Sequence, residues 1–144
     1  MSERLPTSKQ LERDLSQKIK ELYNLEMNFA PRRVTCKLFS RYIAIVVDEA
    51  LTPLEKSLIA YGKKGLIAQL RRETSSIFKP RLVKSIEETL GVSIVEILTN
   101  TTFIGNKTGT LVVLSESPKV RSYNPAIYQS SQQNPQIDIK INKI

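Results

Sequence analysis

The chain has 144 residues, a formal charge of +8 and an apolar share of 40 %, which suits one domain around a single core. It contains no histidine and only one cysteine, Cys36, which excludes an internal disulfide, a zinc site and any Cys–His or Ser–His pair. With the commonest general base and metal ligand missing, no enzyme activity, metal or cofactor is expected.

There is no Trp, and five Tyr with four Phe are the only aromatics, so the core must be aliphatic. The longest apolar run, Ile43-Ala44-Ile45-Val46-Val47, falls far short of the ~20 residues that span a bilayer. Met1-Ser2-Glu3-Arg4 does not open a secretory signal, and the single cysteine suits a reducing compartment, so a cytoplasmic protein is expected.

Thr7-Ser8-Lys9-Gln10 reads as a capping box, and Leu11, Leu15, Ile19 and Leu22 follow at helical spacing. This predicts an amphipathic helix to about Met27, ended by Pro31, that lies on a sheet or zips against a copy of itself. Val34 to Val47 reads as two strands with a tight link at Ser40-Arg41. Tyr42 to Val47 is apolar on both faces and should form a central strand covered on both sides.

Leu51-Thr52-Pro53-Leu54-Glu55-Lys56 is a helix start. Thr52 caps the first turn, Pro53 fills the position where a missing N–H costs nothing, and Glu55 can reach back to the Thr52 N–H. Helical patterning continues to about Thr74 with Leu58, Ile59, Leu66, Ile67 and Leu70 as its apolar side, weakened at Gly62 and Gly65. Lys79-Pro80 marks a further helical start, and Gly91 ends that helix as a left-handed cap. Val92 to Leu98 and Thr110 to Leu114 read as a second strand pair, with Asn100 to Thr108 as the polar connection.

The expected architecture is α+β. It has an N-terminal helix, a β-hairpin, two to three helices and a second strand pair, forming one sheet with helices on one face over residues 1–116. Residues 117–144 form a polar tail. It ends in a strand-like segment in which Ile137, Ile139 and Ile141 alternate with polar residues and could dock on a sheet edge.

Most of the excess charge lies between Lys63 and Lys84. There Lys63, Lys64, Arg71, Arg72, Lys79, Arg81 and Lys84 face a single acid, Glu73. These seven are the expected partner-binding residues, although a solvated helix face that keeps the protein soluble is the slightly better account of them. The row lacks an aromatic or large apolar anchor, so contact with acidic loops of a membrane protein, or no contact with the membrane at all, is expected ahead of insertion into lipid.

Three other features suggest chemistry. Gly62-Lys63-Lys64-Gly65 matches the Gly-x-x-Gly loop with which KH domains clamp a nucleic-acid backbone; close helix packing at two glycines is the plainer account. Asp48 and Glu49 stand at a strand end, where catalytic carboxylates occur, but two solvated acids ahead of a helix are expected. Cys36 reads as a small core residue rather than a nucleophile.

Thr52, Pro53 and Glu55, with Pro31 before the strand pair, Lys79-Pro80 and Gly91-Val92, resemble the landmarks of the MpsC-like family over roughly residues 8–115. That family was first catalogued as a domain of unknown function and takes its name from one component of a sodium-translocating membrane-potential-generating system. The chain departs from its pattern at Asn28 and Ala30, where the family has glycines before the strand pair, and at Asn100, where it tends to carry an acid. The resemblance implies a non-enzymatic accessory role beside a membrane complex tied to ion-coupled inorganic carbon uptake, hence a position peripheral to the membrane. It supplies no catalytic residues. A homodimer formed through a sheet edge or the first helix is expected, because the chain is small and its strands are few.

Overall fold

A computed structural model describes residues 5–121 of the chain. Helix α1 (Ser8–Met27) precedes the hairpin β1 (Arg33–Phe39) and β2 (Tyr42–Asp48); α2 (Pro53–Ala60) and α3 (Lys64–Leu90) follow, then β3 (Ile94–Thr102) and β4 (Lys107–Leu114). The strands form one antiparallel sheet in the order β1-β2-β4-β3. The α+β class and its element order are those expected from the sequence. The expected tail segment with Ile137, Ile139 and Ile141 lies outside the described residues.

Local signals set the helix ends. Thr7 accepts from the Gln10 N–H while the Gln10 side chain accepts from the Thr7 N–H, and α1 closes on Asn28 in the left-handed region. From α1, Leu11, Leu15, Ile19 and Tyr23 are buried, as are Phe78, Leu82, Ile86 and Leu90 of α3. They meet Val34, Cys36, Ile43, Ile45, Val47, Val112 and Leu114 from one face of the sheet in a single core. The Tyr23 and Phe78 rings pack 4.8 Å apart at a tilt, joining the two helices. The apolar stripe of α1 therefore lies on the sheet and α3, inside the fold, while Leu25 stays exposed.

Several boundaries differ from expectation. Pro80 does not start a helix but lies inside α3. Its ring removes the N–H that the Ser76 carbonyl would accept; both residues are exposed, so water can satisfy that carbonyl. The stretch read as a polar connection is mostly strand, with the turn confined to residues 103–106. Thr99 pairs with Thr110 at 3.0 Å and Thr101 with Thr108 at 2.8 Å, oxygen to oxygen, so hydroxyls satisfied across the ladder replace an apolar pattern. Central strand β2 is covered on one face only: Ile43, Ile45 and Val47 are buried, whereas Ala44 is half-buried and Val46 is exposed.

Cys36 is buried, and burial pushes its thiol up to about 11. The folded state thus holds this proton at pH values where the unfolded chain, near 8.5, has lost it. The associated stability is complete below the unfolded value and falls as pH rises through 11, by about 3 kcal/mol at 1.36 kcal/mol per unit. Urea midpoints measured from pH 8 to 11 should decline more steeply for the natural chain than for Cys36→Ala. Equal slopes would show that the thiol contributes nothing to the decline.

Candidate docking surface

The strand-to-helix handover is built as its sequence implies. The Thr52 side chain accepts from the Glu55 N–H, the Thr52 N–H donates to Glu55 Oε1 at 2.9 Å, and Pro53 stands at the helix start. Asn106, in the turn between β3 and β4, holds the preceding loop: its Oδ1 accepts from the Leu51 N–H and its carbonyl from the Glu49 N–H. In the sequence Asn106 reads only as a turn residue; its left-handed backbone (φ 50°) is what aims the side chain at the loop.

Helix α2 stops after two turns. The Gly62 N–H donates to the Ile59 carbonyl and the Lys63 N–H to the Leu58 carbonyl, with Gly62 at φ 71°, which is a Schellman stop. Glycine at position 62 is thus explained by its backbone angle. A Cβ at Gly62 or Gly65 would meet no atom within 4 Å, so close helix packing at these glycines is overturned. The turn does lie between two helices, and residues 61–66 are all exposed.

The reversal at this turn brings α3 back over Glu55, which is buried although it is an acid. Arg71 Nη2 donates to Glu55 Oε1 at 3.2 Å, and Arg71 Nε stands 2.7 Å from Oε2 at an angle unsuited to a directed hydrogen bond. Arg71 Nη1 donates to Thr101 Oγ1 at 3.0 Å. One carboxylate and one guanidinium therefore connect the α2 cap, α3 and β3.

The seven expected basic residues do not form one face. On an ideal helix Lys64, Arg71, Arg72 and Lys79 fall within about 100° of arc, with Arg81 and Lys84 on the other side. Arg71 is committed to Glu55, and Arg81 pairs with Glu26 of α1 at 3.1 Å. Among the described residues, Lys63, Lys64, Arg72, Lys79 and Lys84 take part in no ion pair, and all five are exposed. Tyr61 (80 % exposed) and Leu66 (51 %) flank the two lysines, so the tip carries the aromatic and apolar anchor that the charged row itself lacks. That signal is present in Tyr61-Gly62-Lys63-Lys64-Gly65-Leu66 but needs the turn to be recognised.

A cleft of about 330 Å³ opens between α3 and the β3–β4 pair. Arg71, Arg72 and Lys79 line it together with the hydroxyls of Thr99, Thr101 and Thr110, and no carboxylate does. Cations and hydroxyls around an apolar floor of Phe78 and Ile97 suit an anionic side chain or headgroup. The two candidate carboxylates lie elsewhere. A hydrogen bond from Lys107 (2.9 Å), with Arg33 nearby, holds the Asp48 carboxyl below the usual range, and Glu49 is exposed in the left-handed region.

Breaking the buried pair from either side should be costly. Glu55→Ala removes the cap and strands Arg71, with an expected loss of roughly 2–3 kcal/mol. Arg71→Ala leaves a buried carboxylate unpaired and should cost a similar amount. In urea denaturation the double variant should lose at least about 1 kcal/mol less than the sum of the singles. Strict additivity would mean that the two residues do not act as a pair.

No curated protein and no solved structure is significantly similar to the chain. Residues 7–116 match the model of a family described as the Na+-translocating membrane potential-generating system (MpsC). A four-stranded antiparallel sheet with helices on one face, entered through the Thr52-Pro53-Glu55 start, is therefore this family's domain as this sequence builds it, and the chain belongs to the MpsC family.

Proposed function

We propose that the chain is a non-enzymatic accessory protein that docks on an acidic segment of the membrane complex for which its family is named, a system the sequence resemblance ties to ion-coupled inorganic carbon uptake. The observation that carries this reading is the α2–α3 tip, where Tyr61 and Leu66 stand exposed beside Lys63 and Lys64, with Arg72 and Lys79 continuing the charge along α3. An aromatic anchor inside a cationic rim is the composition of an interface hot spot. The cleft between Arg72, Lys79 and the threonine ladder can receive one carboxylate of the same segment.

Other features support binding over turnover. The sequence has no histidine. Cys36 is buried with its thiol raised, and Asp48 is held by Lys107 and Arg33. No helix among the described residues is long and apolar enough to cross a membrane.

A nucleic-acid reading is favoured by one observation: the Gly62–Gly65 turn is exposed between two helices, as a backbone-clamping loop requires. One experiment separates the two. Lys63→Glu with Lys64→Glu should reduce recovery of the membrane complex in a low-salt pull-down at least about tenfold, equivalent to ~1.4 kcal/mol. Unchanged recovery would overturn the docking reading. Salt-sensitive binding of single-stranded RNA by the natural chain, lost in the same variant, would put the nucleic-acid reading in its place.

A further inference from the structure

The sheet has two faces, and the helices take only one. From the strand register, the other face presents Phe39, Tyr42, Ala44, Val46, Leu98, Leu111 and Val113. Phe39 is 52 % exposed, Leu98 54 %, Val46 37 % and Leu111 36 %. A contiguous apolar surface of this kind marks an interaction site rather than scattered surface residues. We propose that this face is a homodimer interface, in which two copies stack sheet on sheet about a twofold axis parallel to the strands.

Pairing at the two sheet edges is already blunted. At the β1 edge the Leu38 N–H donates to Glu12 Oε2 of α1 at 2.8 Å, which removes a donor that an added strand would need. At the β3 edge a bulge interrupts the ladder between Ile94 and Glu96. Both are devices that discourage edge pairing. The first helix has spent its apolar stripe on the core.

The face is complementary to itself under that axis. A twofold along the strands sets β2 of one copy over β4 of the other, and β1 over β3, while each cross-strand row stays level. One row reads Thr35, Val46, Gly109, Asn100, and the next Lys37, Ala44, Leu111, Leu98. Val46 then lies over the partner's Gly109, where a Cβ would meet nothing within 4 Å, and Leu111 lies over the partner's Ala44. On the two central strands a large residue thus faces a small one in both rows, as interdigitating layers need, while Lys37 lies over the partner's Leu98 and, one row on, Tyr42 over the partner's Val113. Lys37 and Glu96 sit on opposite edges in adjacent rows, so the axis brings each lysine toward the partner's glutamate, twice. Four strands at ~4.8 Å and seven residues at ~3.3 Å give a footprint of about 440 Å² per copy. The pair of footprints comes to about 900 Å² before side-chain relief is counted, just under the ~1,000 Å² that a biological interface has to clear.

Sedimentation of the full chain across 1–100 µM tests the proposal. The natural protein should run as a dimer. Gly109→Val adds a side chain whose Cβ meets nothing within 4 Å in one copy but fills the notch for the partner's Val46, and it should raise the dimer Kd at least tenfold with circular dichroism unchanged. Lys37→Glu should weaken the dimer and Lys37→Glu with Glu96→Lys should restore it. A natural chain that stays monomeric at 100 µM overturns the proposal, as does a dimer unaffected by both Gly109→Val and Lys37→Glu.

Discussion

A carboxylate buried under two helices ties this fold together. Glu55 accepts from the Thr52 N–H and hydroxyl to start α2, and it holds Arg71 of α3, which in turn bonds Thr101 of β3. Apolar packing alone would not fix this part of the molecule: Glu55 is the only buried residue of α2, and Ile67 is the only buried residue in the first half of α3. Elsewhere α1 and the second half of α3 are held by an aliphatic core, where burial is worth about 25 cal/mol per Å² of apolar area and direction matters little. At the α2–α3 hairpin direction matters more than area, and the charged network supplies it. Removing one partner leaves the other desolvated, which makes the hairpin stable as a pair and vulnerable at either residue.

Capping is the most legible part of the sequence. Thr7 with Gln10, Thr52 with Glu55, and Gly91 all act as local chemistry predicts, because a cap depends on residues within one turn of it. Pro80 misleads for the complementary reason: a first-turn preference is also local, and it yields where continuous helix buries Phe78, Leu82 and Ile86 on one side and leaves the orphaned carbonyl to water on the other. The threonine ladder reads as loop because Thr99, Thr101, Thr108 and Thr110 are polar in sequence; only their cross-strand pairing shows that each hydroxyl has a partner. Tyr42 to Val47 is apolar on both faces, as its sequence says, yet one copy of the chain covers only one of them. The Glu55–Arg71 pair is not visible in the sequence at all, since its sixteen-residue separation closes only after the Gly62 stop reverses the chain.

The layers divide the surface into two kinds. The helix layer ends in an exposed cationic tip with a tyrosine and a leucine, whose polar rim suits a partner of opposite charge. The open side of the sheet is apolar at its centre, with Lys37 and Glu96 at its edges and the Asp48–Lys107 pair at one end. The two surfaces lie on opposite sides of the same sheet. A dimer stacked through the sheet would therefore present two tips facing outward, and a membrane complex with two acidic segments would be held by both at once, with the gain in avidity that paired sites bring.

Docking through the α2–α3 tip requires that Glu55 order the hairpin that carries it. Native-state hydrogen exchange of the natural chain and of Glu55→Gln measures this residue by residue. The amides of α2 and of residues 64–72 should lose protection in the variant, while those of α1, β1 and β2 keep theirs. Unchanged protection in α2, or an equal loss across the whole sheet, would contradict it.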